Sequence, residues 1–249
     1  MTLHARDMSI RRGAFELGPV NLAFEPGRIY GVVGPNASGK TTLARGLCGL
    51  QPIQSGTVAL ADAIVHAMDA AERASRIAFV PQRPMMPPAL RVGEVVALGR
   101  LRMRRDPLAE EDALRQVGLL ERRNERADEL SAGQSHRVAV ARMLAQLTTT
   151  TRLVVMDEPT ASLDPAWSAS VGRLTRACAQ RGCAVIVATH DFGFLGSCCD
   201  EAVLVAGGRL KEVGPVASVA TPESLSALFG APFGWAHGLA ARPVAMPCW

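Results

Sequence analysis

Gly34-Pro35-Asn36-Ala37-Ser38-Gly39-Lys40-Thr41 follows the pattern GxxxxGK(S/T), with an apolar run at 28–33 before it and a helix-like run at 40–47 after it. Strand, glycine-rich turn, helix is the order the pattern needs in order to hold phosphate. Glycines let the backbone wrap so that its amides, with the open N-terminus of the helix, point at phosphate oxygens. Lys40 reaches the outer phosphates, and the Thr41 hydroxyl is placed to ligate a magnesium ion. Residues Gly34 to Thr42 are therefore the candidate phosphate site, and the strand and helix around them set an α/β fold.

Either side of this loop, short apolar runs at 28–33, 77–80, 153–156, 185–188 and 202–205 alternate with helix-length amphipathic segments at 40–47, 166–179 and 192–199. Runs apolar throughout predict strands buried on both faces, hence an α/β core whose sheet is mainly parallel; with the GxxxxGK(S/T) loop it resembles a P-loop NTPase core. Antiparallel β elements are expected beside it: residues 202–213, with Gly207 and Gly208 at their centre, predict a hairpin. Between about 83 and 146 the strand signal gives way to helical spacing at 92–98, 110–117 and 135–145, which predicts a helical subdomain. Thr148, Thr149, Thr150 and Thr151 are β-branched and polar, a poor helix interior, and predict a loop entering the strand at 153. From about 231 to 249 there is no period. With Pro232, Gly234, Pro243 and Pro247 this stretch reads as a docked or frayed tail, in which Trp235 and Trp249 either anchor it or mark a contact.

Leu153-Val154-Val155-Met156 runs into Asp157 and Glu158, two acids at the C-terminal end of a buried strand. That is the edge at which open α/β sheets bind ligands. Asp157 can hold magnesium through water, and Glu158 can accept a proton from an attacking water or polarise it. Loop and acids together still fit kinases, helicases and other phosphate-loop enzymes.

Composition narrows this further. The 249 residues carry 27 basic and 23 acidic side chains, and a net charge of +4 is too mild to argue by itself for nucleic acid or a membrane surface. Arg100, Arg102, Arg104 and Arg105 cluster, and Arg122, Arg123 and Arg126 form a second group; each is either a solvated helix face or a contact to phosphates of nucleic acid or lipid. Cys48, Cys178, Cys183, Cys198, Cys199 and Cys248 lack metal-site spacing and read as small core residues in a reducing compartment. No uninterrupted apolar stretch approaches the roughly 18 residues a spanning helix needs, so a membrane role must come through a partner.

Between the loop and the acids lies Leu130-Ser131-Ala132-Gly133-Gln134. With this segment, with Gln82 after Phe79-Val80-Pro81, with Ala161-Ser162-Leu163-Asp164 and with His190 in Ala188-Thr189-His190-Asp191, the chain resembles the ATPase subunits of ABC transporters over nearly its whole length. The resemblance implies a single ATPase domain over 1–249, ATP and Mg2+ as ligands, and two copies paired head to tail. ATP would lie between the phosphate loop of one copy and Ser131, Gly133 and Gln134 of the other. A serine hydroxyl and glycine amides at a helix start suit that task, because they donate to phosphate oxygens. On the same resemblance Gln82 is expected to sense magnesium and the lytic water, Glu158 to activate that water, Asp164 to cross the dimer interface, and His190 to contact the γ-phosphate.

Two departures from the family stand out. The family usually stacks adenine on an aromatic residue just after the first strand, where this chain has Arg12. Arg12 could stack its guanidinium plane on the base, Phe15 could substitute, or the base is held loosely. Ala132 and Ala37 replace commoner glycines. Residues 92–100 (VGEVVALGR), 117–120 and 221–230 (TPESLSALFG) resemble importers of iron-siderophores, haem or cobalamin, with other metal importers and exporters as alternatives. That resemblance implies a separate membrane permease docking on residues 83–105, a substrate-binding protein, and a place on the cytoplasmic face of the inner membrane. Nucleic acid is not expected as a partner; a soluble ABC protein acting on nucleic acid or the ribosome is the rival.

Overall fold

The computed structural model describes residues 2–160, 165–236 and 243–248. The chain forms two compact units, Met1–Ala67 with Arg152–Trp249, and Met68–Thr151. In chain order the first unit opens with β1 (Leu3–Arg12), β2 (Phe15–Phe24), β3 (Ile29–Val33), α1 (Lys40–Leu47), β4 (Ser55–Leu60) and β5 (Ala63–Ile64). The second unit holds α2 (Ala70–Arg76), β6 (Ile77–Val80), α3 (Val92–Ala97), α4 (Pro107–Gln116) and α5 (Ala132–Gln146). The first unit resumes with β7 (Leu153–Asp157), α6 (Pro165–Gln180), β8 (Ala184–Ala188), α7 (Phe192–Cys198), β9 (Glu201–Ala206), β10 (Arg209–Pro215), α8 (Val216–Val219), α9 (Pro222–Phe229), β11 (Phe233–Ala236) and β12 (Val244–Pro247).

The heart of the first unit is a parallel array in the order β9, β3, β8, β7, with β10 antiparallel at its edge. Every residue of β3, β7 and β8 is buried, which is why these strands are apolar along their length and not alternating. The registers Val32↔Ala188 and Asp157↔Ala188 bring the C-terminal ends of β3, β7 and β8 level, so the segments leaving all three emerge at one edge. A second sheet, β2-β1-β4-β5, is antiparallel. Much of β2 alternates between buried and exposed positions, as expected of a sheet covered on one face.

In the second unit α5 packs on α3, α4 and β6. The threonine run closes on itself as a loop: the Thr148 amide donates to Thr151 Oγ1 at 3.0 Å, and Thr151 Oγ1 donates to Ser75 O at 3.2 Å.

Residues read as a tail without a period form a hairpin, β11 with β12, in the register Trp235↔Ala245. It lies on α7 and α9, and an edge-on cluster of Phe192, Phe229 and Phe233 seals the contact. Four-residue strands broken by Gly234 and Pro247 carry too little pattern to register alone; packing on the helices supplies what local propensity lacks. Trp235 is 45% exposed, and Trp249 lies outside the described residues. The cysteines are less uniformly core residues than their spacing suggests: Cys198 is half-buried and Cys248 exposed.

Candidate nucleotide site

Gly34 leaves β3 where a side chain has no room: a Cβ there would stand 2.0 Å from Val205 O and 2.7 Å from Ser38 Oγ. Gly39 caps α1 without offering a side-chain oxygen, so the first-turn amides of the helix keep their capacity to meet an anion. Lys40 is buried and folded back onto the loop, its Nζ donating to Gly34 O at 2.8 Å and Pro35 O at 3.1 Å. Burial holds its pKa below the ordinary lysine value, while the nearby charges of Glu158 and Asp157 pull it back up. Thr42 is buried in the same turn.

Across from the loop, Thr41 Oγ1 donates to Asp157 Oδ1 at 3.1 Å. Asp157 is fully buried, and its Oδ2 has no partner among the described residues; the buried Ser38 Oγ is in the same condition. Burial pushes the Asp157 carboxyl up, the Thr41 hydrogen bond pulls it down, and Glu158 pushes it up again. A buried carboxylate with one oxygen orphaned beside a hydroxyl is a donor set of hard oxygens, and it fits a magnesium ion.

Glu158 follows in a left-handed backbone conformation, φ 51°, with its amide donating to Ala188 O at 2.8 Å. That turn brings the carboxylate to the residues leaving β8. His190 Nδ1 lies 2.6 Å from Glu158 Oε2, and the His190 amide donates to the same oxygen at 3.3 Å. Glu158 is buried, whereas His190 is exposed, so the imidazole reaches in from solvent and holds the acid at one oxygen only.

Gly208 was not singled out by sequence for this site, yet it braces the loop. Its amide donates to Ser38 O at 3.0 Å, and its carbonyl accepts from the Gly18 amide at 2.8 Å. Its φ is 71°, and a Cβ would stand 1.9 Å from Glu16 O. The only advance signal was the glycine pair at the hairpin. The β1–β2 turn also borders the loop: the Phe15 ring comes within 3.0 Å of where a Cβ on Gly39 would stand. Arg12, its register partner, is exposed, and its neighbour Arg11 pairs with Glu16 at 3.3 Å.

In the second unit, Ser131 caps α5. Its Oγ accepts from the Gln134 amide at 3.3 Å, while Gln134 Oε1 accepts from the Ser131 amide at 2.9 Å. Accepting leaves the hydroxyl proton of Ser131 available to a further acceptor. Gly133 sits in the first turn, and Gln82 is exposed in the irregular segment after β6. Asp164, with Ala161 to Leu163, lies outside the described residues.

The sequence model of the ABC transporter family matches residues 17–161, more than half of the chain. The chain is 38% identical over 237 residues to the hemin import ATP-binding protein of Pseudomonas fluorescens Pf-5, spanning 92% of each. To that of Bordetella pertussis Tohama I it is 36% identical over 242 residues, again 92% of each. The chain belongs to the ABC transporter family.

Solved structures agree on the ABC ATPase fold. An inward-facing transporter described as of the metal-chelate type aligns with TM-score 0.82 at 24% identity, over 100% of this chain and 98% of that one. A dimeric ATP-binding cassette with ADP and phosphate bound aligns with TM-score 0.78 at 23% identity, over 86% and 98%. The chain is accordingly an ATP-binding, ATP-hydrolysing subunit. Its two alanines at family glycine positions differ in consequence. Ala132 is the first helical residue of α5, a conformation alanine prefers, whereas Ala37 stands at φ 60°, where an L-residue is strained.

Proposed function

We propose that this ABC ATPase energises an importer for haem or a related iron chelate, working as two copies beneath a separate permease. The observation that carries the reading is the pairing of Glu158 with His190 at the sheet edge, one residue on from Asp157, whose own carboxylate accepts from Thr41. The cargo class follows the relatives, which are named as hemin import ATP-binding proteins along 92% of their length.

In this scheme the γ-phosphate exchanges places with the loop carbonyls as the partner of Lys40, and amides of residues 35–42 take the remaining phosphate oxygens. Thr41, Asp157 and Gln82 would hold magnesium, which neutralises charge on the β- and γ-phosphates. Glu158 Oε1 accepts a proton from water as that water attacks the γ-phosphorus and ADP leaves, while His190 fixes Oε2 and keeps the carboxylate aimed. Ser131, Gly133 and Gln134 of the second copy donate to the γ-phosphate from the other side, and Asp164 completes the interface. Arg12 is the contact for the base. Closure of the two copies on ATP, and reopening after hydrolysis, would rock a permease docked on residues 83–105, with a substrate-binding protein delivering cargo. Attachment would be peripheral, through the permease at the cytoplasmic face; no helix among the described residues is long and apolar enough to cross a membrane.

The test is capture of the tagged Glu158→Gln protein with ATP from detergent-solubilised native membranes. Recovery of a polytopic permease of the haem, siderophore or cobalamin type is the expected result. Ribosomal or nucleic-acid partners without a permease would overturn it.

A further inference from the structure

The three most exposed large apolar side chains among the described residues are Met85, at 85%, Leu108, at 80%, and Leu101, at 71%, all in the helical unit. Two of them bracket the densest run of positive charge in the chain, Leu101-Arg102-Met103-Arg104-Arg105-Asp106-Pro107-Leu108. The run is folded on itself. Arg100 Nε donates to Arg104 O at 2.9 Å, the Met103 amide donates to Arg100 O at 2.9 Å, and the second arm of the Arg100 guanidinium reaches Ala145 O on α5. Arg105 is spent on a two-pronged pair with the buried Glu110, at 3.1 and 3.2 Å. Asp106, the one acid in the run, is spent as the cap of α4, accepting from the Ala109 amide at 3.1 Å.

That accounting leaves Arg102 and Arg104. Both are exposed, and neither has an acidic partner among the described residues. Two unneutralised guanidinium groups flanked by two largely exposed leucines, on a segment that runs from a hydrogen-bonded loop into the first turn of α4, have the composition of an interfacial contact. Cations meet anionic headgroups while aliphatic side chains enter the boundary of the acyl region.

We propose that the segment Leu101–Leu108, the loop before α4 with the helix's first two residues, is a contact for an anionic lipid bilayer, with Arg102 and Arg104 on headgroup phosphates and Leu101 and Leu108 inserted beside them. The proposal rests on the peripheral attachment argued above, and adds a lipid component at the far end of the region assigned to the permease. Nucleic acid would also present phosphates. However, residues 98–120 offer no aromatic ring on which a base could stack, and exposed leucines gain nothing against a sugar–phosphate backbone. A second copy of the chain would bring like charge against like.

The isolated protein is tested by co-sedimentation with vesicles of phosphatidylcholine alone and with about one third phosphatidylglycerol. Binding is expected only to the anionic vesicles and should weaken with salt. Arg102→Gln with Arg104→Gln should lower the partition coefficient about 30-fold, roughly five-fold per arginine. Leu101→Ser with Leu108→Ser should lower it too, and both double variants should melt at the parent temperature. Equal binding to both vesicle types, no binding, or unchanged binding of the arginine variant would overturn the proposal. So would salt-sensitive binding to duplex DNA or RNA lost in the arginine variant. Capture of the permease is a separate readout: a permease recovered by a protein that ignores vesicles would leave the importer reading standing and remove the lipid contact.

Discussion

Asp157 makes the cost of keeping a nucleotide site measurable. It is fully buried, one oxygen accepts from Thr41, and the other has no partner among the described residues. Its carboxyl is pushed up chiefly by burial, so the folded state holds the proton more readily than the unfolded chain does. Charge on Asp157 therefore opposes folding. The penalty is absent below the unfolded carboxylate range and grows as pH rises through the folded pKa. Asp157→Asn removes the charge, and its amide oxygen can still accept from Thr41. Burial outweighs the pull of Thr41, Arg45 and Lys40 on this charge, so replacing it by a neutral group of the same shape is expected to stabilise the nucleotide-free protein by about 1–2 kcal/mol at neutral pH. For a chain of this size that raises Tm by roughly 2–8 °C. The assay is thermal unfolding without nucleotide from pH 8 downwards: the gain should be full at pH 7 and narrow as pH approaches about 4. With Mg-ATP the order should reverse. Ligand at about a hundred-fold over Kd adds roughly 2.7 kcal/mol to a protein that binds it, and the variant should lose much of that increment. An Asp157→Asn protein that melts at or below the parent temperature at pH 7 without nucleotide would refute the argument that the acid is held at the expense of stability.

Ala37→Gly should relieve the left-handed strain at φ 60°, about 1–2 kcal/mol, against about 0.5–1 kcal/mol of added chain entropy. The expected net is a Tm higher by about 1–4 °C in calorimetry, and an unchanged or lower Tm would contradict it. Arg12→Ala should weaken ATP binding about five-fold, on the order of 1 kcal/mol for a guanidinium stacked on a base, in titration with a fluorescent ATP analogue; unchanged affinity removes Arg12 from the site.

How much of this was legible in the chain depended on how many faces of each element are covered. Strands β3, β7 and β8 are enclosed on both sides, so burial writes itself into the sequence as unbroken apolar runs that can be read without a partner. The antiparallel sheet alternates, and in β1 the runs Arg6-Asp7 and Arg11-Arg12 on exposed positions dilute the signal. The hairpin β11–β12 left no readable trace because helices α7 and α9 hold it. The phosphate loop and the Asp157-Glu158 pair were legible because each is contiguous. Its supports were not: the left-handed turn at Glu158 and the Gly208 brace depend on segments distant in sequence, to which no local pattern points.

The nucleotide base shows where chain order stops ranking candidates. Arg12 and Phe15 flank one tight turn, and either side chain has a flat face to offer. The fold separates them. The Phe15 ring lies on the phosphate loop at Gly39, where it is half-buried and supports the backbone that must carry the phosphates. To stack on a base it would have to leave that loop, trading a packing contact for a new one. Arg12 faces no such exchange. It is exposed, and the acid within reach of the turn, Glu16, is already paired with Arg11. A guanidinium with no competing ion pair loses little by lying flat on a base, and this is the ground on which Arg12 and not Phe15 is proposed as the base contact.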